Sequence, residues 1–138
     1  MSSPDIRKAA AVIIHDRKLL VSRSHGKDYF VAPGGKLDGD ETSSQALVRE
    51  LKEEQGIDID PASLSLLGTF SAIAKGHEAE QQTVEMVVYV VPSYQGELSP
   101  HAEIAENRWV NSQTDDIELG SIFKHEVIPR LHEADLID

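Results

Sequence analysis

The sequence predicts an α/β fold, in which a mixed β-sheet is sandwiched between helices in an α/β/α arrangement. Two apolar segments of strand length with one amphipathic helix between them carry this prediction, and a second amphipathic helix follows near the end of the chain. The order of elements is strand, strand, helix, several strands, helix, which is typical of helices packed on both sides of a sheet. The 138 residues are predicted to form a single domain, 1–138.

The first two strands are predicted to form a hairpin. The six residues 9–14 are all apolar, which is typical of a strand buried on both faces. We expect this strand over residues 8–15 and its partner over residues 18–22, with Asp16 and Arg17 in the turn between them.

A glycine-rich loop and the first helix come next. A short strand over residues 29–31 leads to Gly34 and Gly35, where the backbone can turn tightly and approach a ligand closely. Thr42 and Gln45 have the spacing of a capping box, and Gly56 is suited to end the helix in a left-handed conformation. The apolar stripe that should dock this helix on the sheet consists of Leu47, Val48 and Leu51.

The second half of the chain alternates strands and polar connections. Strands are expected over residues 66–74, 83–91 and 108–110, with a polar excursion at 75–82, an acidic loop at 101–106 and a last helix at 121–136. Pro129 should end or kink that helix unless it falls in a first turn. Glu85 interrupts an otherwise apolar strand, and we expect it at a solvent-facing edge.

Composition excludes several classes of function. The net charge of −11 repels nucleic acid and anionic membranes, so neither is expected as a partner. The chain has no cysteine, and its longest apolar runs are too short to cross a bilayer. We therefore expect a cytoplasmic protein that acts on a small molecule.

Three carboxylates project from one side of the first helix. Glu50, Glu53 and Glu54 lie within one turn and a half, and only Glu53 has a cation in register, Arg49. Two carboxylates about 6 Å apart repel by roughly 3 kcal/mol at an effective dielectric constant near 20. A bound Mg²⁺ or Mn²⁺ would explain the arrangement, because oxygen ligands select hard cations. From these residues alone, an exposed glutamate-rich helix is an equally good interpretation.

The wider pattern over residues 35–57 resembles the signature of the Nudix hydrolases, the MutT-like family. Gly35, five residues, Glu41, seven residues and then the run from Arg49 to Ile57 fill every defined position of that signature. Seven fixed identities would coincide by chance with a probability of about 10⁻⁹ per start position. The resemblance implies the Nudix fold and metal-dependent hydrolysis of a nucleoside diphosphate linked to another moiety.

The resemblance also implies roles for the acidic residues. Glu50 and Glu54 would be metal ligands, together with the backbone carbonyl of Gly34. Glu53 would be a further ligand and the general base. Some members take the base from a loop outside the signature, and here Glu103 in the loop at 101–106 is favoured for that role.

Supporting and substrate-binding roles fall on neighbouring positions. Arg49 would orient the base four residues on, and Glu41 would support it. Arg23 and Lys36 are expected to contact phosphate. Gly35 is expected to let the backbone approach the substrate closely.

The expected substrate is a (d)NTP, hydrolysed to a nucleoside monophosphate and pyrophosphate. ADP-ribose or another nucleotide sugar, dinucleoside polyphosphates, and a non-catalytic nucleotide- or RNA-binding module are the alternatives. The asparagine with which one family member reads 8-oxoguanine has no counterpart at residues 123–125, which argues against a strict 8-oxo-dGTP role. A monomer or homodimer is expected.

Overall fold

A computed structural model describes residues 4–73 and 82–138 as two β-sheets with a helix on either side. The strands are β1 (Ile6–Val12), β2 (Ile14–His15), β3 (Lys18–Ser24), β4 (Gly34–Lys36), β5 (Ser65–Ile73), β6 (Thr83–Val90) and β7 (Ile104–Val110). The helices are α1 (Ser43–Gln55) and α2 (Ile128–Glu133), with a short 3₁₀ turn at Pro61–Ser63. None of the described helices is long and apolar enough to cross a bilayer.

The larger sheet is mixed, as predicted. Its strand order is β4-β1-β6-β5, with β1 parallel to β6 and the other neighbours antiparallel. The remaining strands form a separate antiparallel sheet in the order β2-β3-β7. The structure therefore has two sheets where we expected one.

The first predicted strand is divided between these two sheets. The chain pairs with β6 as far as Val12 and joins the other sheet from Ile14. The predicted hairpin turn is confirmed, and Asp16 and Arg17 both have positive φ, 50° and 62°. Two successive residues of this kind match the right-handed twist of the flanking strands, which explains the tight connection.

Alternation along β1 builds the layers of the fold. Ala9, Ala11 and Ile13 belong to the apolar cluster that contains Leu47 and Leu51 of α1. Ala10 and Val12 point the other way, into a second cluster with Phe123, Val127 and Leu131. The alanines bring little bulk to either face, so both helical layers can approach the strand closely.

Helix α1 begins and ends as the sequence predicts. Both hydrogen bonds of the capping box between Thr42 and Gln45 are present, and Gly56 is left-handed with φ 70°. At its C-terminal end, the buried Gln55 side chain donates to Ser22 and Asn107, so α1 is fixed to β3 and β7.

Other predicted boundaries differ. Residues 34–36, expected as loop, form β4, whereas residues 29–31 make only isolated bridges, Phe30 to Leu119 and Val31 to Ser22. Strand β7 starts at Ile104 rather than at 108. The earlier start was not predicted because polar residues within the strand interrupt the alternation of apolar and polar side chains. Strand β5 spans Ser65–Ile73; the expected end at 74 and most of the excursion at 75–82 lie outside the described residues.

Pro129 does not end the last helix. Residues 121–133 are helical throughout, but Phe123–Val127 form a wider π turn, in which the N–H of Ile128 donates to the carbonyl of Phe123. A proline lacks an N–H and crowds the carbonyl four residues before it. The wider turn directly before Pro129 accommodates that demand without breaking the helix.

Candidate active site

Three carboxylates from two parts of the chain meet at one point. Glu50 and Glu54 come from α1, and Glu103 comes from the loop that precedes β7. One oxygen from each lies within 4.8 Å of the other two. Glu54 is only 5% exposed, whereas Glu103 is open to solvent. The group therefore has an inner, buried member and an outer, accessible one.

The glycine pair of β4 makes room for this group. The Gly34 N–H donates to Glu54 Oε1 at 3.0 Å, so the backbone orients the buried carboxylate. Gly34 has φ 140°, and a Cβ there would overlap the carbonyl oxygen of Ala9. A Cβ on Gly35 would lie 2.6 Å from Cδ of Glu50. Side chains at either position would therefore disturb the backbone or the carboxylate.

The segment that carries Glu103 is attached to α1 by main-chain hydrogen bonds. The His101 N–H donates to the carbonyl of Glu54 at 2.8 Å, and the His25 N–H donates to the carbonyl of Glu103 at 2.8 Å. Between them, Ala102 has φ 53°, a left-handed conformation that costs an L-residue about 1–2 kcal/mol. Residues strained in this way persist only where the surrounding structure compensates for the cost.

Crowding changes the ionisation of the inner carboxylates. Burial raises the pKa of Glu54 to about 9, the Gly34 N–H opposes the shift, and the charges of Glu50 and Glu103 add to it. Burial also raises the pKa of Glu50, against the effect of Arg49. The site is therefore short of positive charge. Its all-oxygen donor set fits a hard divalent cation.

Arg49 links the loop before α1 to the carboxylate group. Its Nε and Nη2 donate to the two oxygens of Glu41 at 2.8 and 2.9 Å, and its Nη1 donates to Glu50 at 2.9 Å. Nη2 also reaches the carbonyl of Lys36 at 3.0 Å. Hydrogen bonds from Arg49, with a further one from the Asp38 N–H, lower the pKa of Glu41 to about 2.

Glu53 lies apart from the three carboxylates. Its side chain is 53% exposed, and it reaches Arg49 only at 3.6 Å. The structure thus brings Glu50, Glu54 and Glu103 together, and it does not bring Glu53 into that group among the described residues.

Two adjoining spaces open beside the carboxylates. The first, which we call the acidic cleft, has a volume of about 220 Å³ and is lined by Lys8, Ser22, Ser24, Lys27, Tyr29, Val31, Ala32, Gly34, Glu54, Glu103 and Ile104. The second, the apolar cavity, has a volume of about 300 Å³ and shares Lys8, Tyr29, Val31 and Ala32 with the cleft. Its other walls are Ile6, Lys36, Ala72, Ile73, Val84, Met86, Gly120, Ser121, Ile122 and Phe123.

The predicted phosphate contacts are placed differently from each other. Lys36 lines the apolar cavity. Arg23 instead donates to Glu106 at 2.8 Å and to the carbonyl of Lys27 at 3.0 Å, and it lines neither space. Glu85 lies opposite Arg7, on the side of β6 away from the cavity, but β6 is paired with both β1 and β5, so the expected position at a sheet edge is wrong.

Sequence reasoning missed Lys8. This half-buried residue lies on the same face of β1 as Ala10 and Val12, and it lines both spaces. The sequence did contain a signal for this position. Side chains two residues apart in a strand point to the same face, so Lys8 lies at the end of the face that Ala10 and Val12 bury.

Most of the chain is similar to known proteins of one family. The family model described as NUDIX domain matches residues 5–131. An 8-oxo-dGTP diphosphatase of Proteus vulgaris is 33% identical over 104 residues, which cover 72% of this chain and 87% of that protein. A CTP pyrophosphohydrolase of Escherichia coli is 32% identical over 100 residues, which cover 70% of this chain and 69% of the relative. A third curated relative, at 30% identity, is covered over 64% of its own length.

A solved structure agrees with the fold. The solution structure of the E. coli ORF135 protein superposes with a TM-score of 0.74 and 26% identity, covering 96% of this chain and 94% of that one. Both sheets and both helical layers therefore have counterparts in a known protein.

Proposed function

The chain belongs to the Nudix hydrolase family, and from that premise we propose that it hydrolyses nucleoside triphosphates to a nucleoside monophosphate and pyrophosphate in the presence of Mg²⁺ or Mn²⁺. One observation carries the proposal: the acidic cleft, which is lined by Glu54 and Glu103, shares the wall residues Lys8, Tyr29, Val31 and Ala32 with the apolar cavity. A nucleotide has the same two parts, a polyanionic phosphate chain and a flat, largely apolar base. At about 300 Å³ the cavity is at the small end of ligand sites, which fits one nucleobase better than a larger group.

Glu50 and Glu54 would hold the metal ions in this proposal, with the carbonyl of Gly34 as a further ligand. When bound, the ions neutralise phosphate charge and lower the pKa of a water molecule. Arg49 keeps Glu50 in place, and the Gly34 N–H does the same for Glu54. Both carboxylates are therefore oriented before any ligand arrives, which reduces the entropy lost on binding.

Proton transfer needs a carboxylate that water can reach. In the reaction, the oxygen of a water molecule bonds to one phosphorus, the bond from that phosphorus to its bridging oxygen breaks, and the proton of the water passes to a base. Glu103 suits that role because it is exposed and lies within the group. Glu53, which the family signature suggests, is the competing base and the further metal ligand expected from the resemblance.

Two curated relatives support a triphosphate substrate, whereas another, 37% identical over 93 residues, is named an ADP-ribose pyrophosphatase. The first two are named for 8-oxo-dGTP and for CTP, which are both nucleoside triphosphates. Residues 123–125 lack the asparagine expected of an enzyme that reads 8-oxoguanine, and Phe123 is a buried apolar wall of the cavity. We therefore propose a triphosphate substrate without selectivity for the oxidised base.

A substrate panel tests the proposal. The wild-type protein and Glu54→Gln are incubated with the common (d)NTPs, 8-oxo-dGTP, ADP-ribose, a nucleotide sugar and a dinucleoside tetraphosphate, with Mg²⁺, Mn²⁺ or EDTA. We expect wild-type turnover of (d)NTPs that needs the metal and yields the monophosphate and pyrophosphate. Preferential turnover of ADP-ribose or of the dinucleoside compound, or turnover in EDTA, would contradict it. Nucleotide binding without turnover would indicate a binding module.

A further inference from the structure

Lys8 occupies the boundary between the acidic cleft and the apolar cavity. It lines both spaces, whereas Glu54 lines only the cleft and Lys36 only the cavity. Tyr29, Val31 and Ala32 also line both spaces, and Lys8 supplies the positive charge among these four shared residues. In a bound nucleotide, the parts at such a boundary are the ribose and the phosphate nearest the nucleoside, and of these only the phosphate is an anion that attracts an ammonium group.

The position of Lys8 is electrostatically unfavourable in the protein alone. Strands β1 and β4 are antiparallel, and Lys8 lies directly opposite Lys36. Like charges opposite each other in such a pair destabilise a sheet. Burial lowers the pKa of Lys8, Lys36 lowers it further, and Glu54 opposes both. Within residues 4–73 and 82–138, no hydrogen bond or ion pair of the Lys8 ammonium compensates for this cost.

The cost has an explanation if an anion binds between the two ammonium groups. We propose that Lys8 is a substrate-binding residue whose ammonium contacts the phosphate nearest the nucleoside, opposite Lys36. This inference rests on the proposed nucleotide hydrolysis, and it adds a residue outside the signature to the binding site. A phosphate in that place would replace the repulsion between the lysines by two attractions.

Lys8→Met tests the inference because it keeps the length of the side chain and removes its charge. We expect KM for the (d)NTP to rise about ten- to hundredfold with kcat little changed, since a hydrogen bond to a charged group is lost equally in the ground state and the transition state. Lys8→Arg should restore most of the affinity. Lys18→Met is the matched control, because Lys18 is exposed and lines neither space.

Product inhibition locates the contact. The nucleoside monophosphate keeps the phosphate nearest the nucleoside, so its inhibition constant should rise in Lys8→Met by a factor similar to that for KM. The inhibition constant for pyrophosphate should stay as in the wild type. Weaker inhibition by pyrophosphate alone would overturn the assignment of the contact.

Thermal unfolding separates binding from a structural role. Because Lys8 faces another cation, Lys8→Met should unfold at the wild-type temperature or above it. A lower unfolding temperature combined with a fall in kcat would show a structural role and overturn the inference. So would an unchanged KM.

Binding of an α,β-methylene nucleotide, measured by calorimetry, makes the result independent of turnover. Should the wild-type protein hydrolyse no nucleotide, the proposed function fails. Lys8 is then judged by this measurement alone, in which an unchanged Kd for Lys8→Met overturns its role.

Discussion

Glu54 shows at the scale of one residue how the site is balanced. The carboxylate is buried beside two others, and its pKa of about 9 lies above the ordinary 4.5. The folded protein therefore holds a proton that the unfolded chain releases between these pH values. Below about pH 4.5 both states carry the proton and the stabilisation is fully present, and the free energy of unfolding falls as the pH rises from about 4.5 to about 9.

We predict that the metal-free protein loses several degrees of unfolding temperature between pH 6 and pH 8.5, since about 1 kcal/mol corresponds to a few degrees in a chain of this size. The measurement is differential scanning fluorimetry in EDTA. Glu54→Gln, which carries no charge at any pH, corrects for the histidines and should show a smaller slope. Parallel slopes in the two proteins would mean that Glu54 is ionised throughout.

A second prediction distinguishes Glu103 from Glu53. If Glu103 is the base, Glu103→Gln should lower kcat by about 10²–10⁴, the usual contribution of general base catalysis, and Glu53→Gln by much less. The measurement is steady-state kinetics over a range of pH, where loss of the base also removes the acidic limb of the profile. The reverse order would assign proton transfer to Glu53.

The sequence reaches these residues to different extents. Glu50 and Glu54 follow from helical spacing, because neighbours three to four positions apart share a side. Glu103 follows only from the resemblance, since nothing local shows that a loop 49 residues further along the chain from Glu54 folds back beside it. Arg23 donates to Glu106, which lies opposite it in β7, and this contact could not be predicted because it depends on the strand register.

Strand β4 and helix α1 act together at the scale of elements, because the glycines of one leave space for the carboxylates of the other. Gly35→Ala would place a Cβ 2.6 Å from Cδ of Glu50. The terminus of a glutamate side chain can move aside, so we predict little loss of stability but at least a tenfold loss of activity.

Gly39→Ala is the control with the opposite expected result. Gly39 has φ 51° and open space around its Cα, so alanine there should cost about 1 kcal/mol of stability and leave activity unchanged. Measured together, unfolding temperature and kcat/KM separate the two substitutions. Equal activity in Gly35→Ala and the wild type would show that the position of Glu50 is not critical.

Element boundaries were predictable where local chemistry sets them. The Thr42 capping box and the Gly56 stop are local, and both are confirmed. The division of the first strand after Val12 is not local, because it depends on which neighbours pair with each half. The short strand β4 was not predicted for the same reason. Its two glycines have a low strand propensity, and they form a strand because they pair with β1.

Net charge governs behaviour at the scale of the whole molecule. A chain of charge −11 repels a nucleotide, and the three carboxylates repel it further. The three carboxylates also repel one another, and divalent cations that bind them should therefore stabilise the folded protein itself. At a free Mg²⁺ concentration of 100 times Kd, linkage predicts about 2.7 kcal/mol of added stability.

This prediction is measured as the unfolding temperature during a Mg²⁺ titration, with NaCl of equal ionic strength as the control. In the wild type we expect the unfolding temperature to keep rising with the logarithm of the Mg²⁺ concentration above Kd. In a Glu50→Gln, Glu54→Gln double variant the response should be close to that of NaCl. An equal response of both proteins would place the stabilising cations elsewhere.

Glu103 sits on a segment whose attachments are made by the main chain, from His101 to Glu54 and from His25 to Glu103. Such attachments do not themselves depend on the side chains of residues 101–103, although the left-handed φ of Ala102 restricts the choice at that position. Protein engineers thus have a short stretch in which acid strength, length and polarity can be varied while the helical half of the site is retained. Diversifying those three positions, and selecting for altered pH optimum or leaving group, is where new reactivity should first emerge in this scaffold.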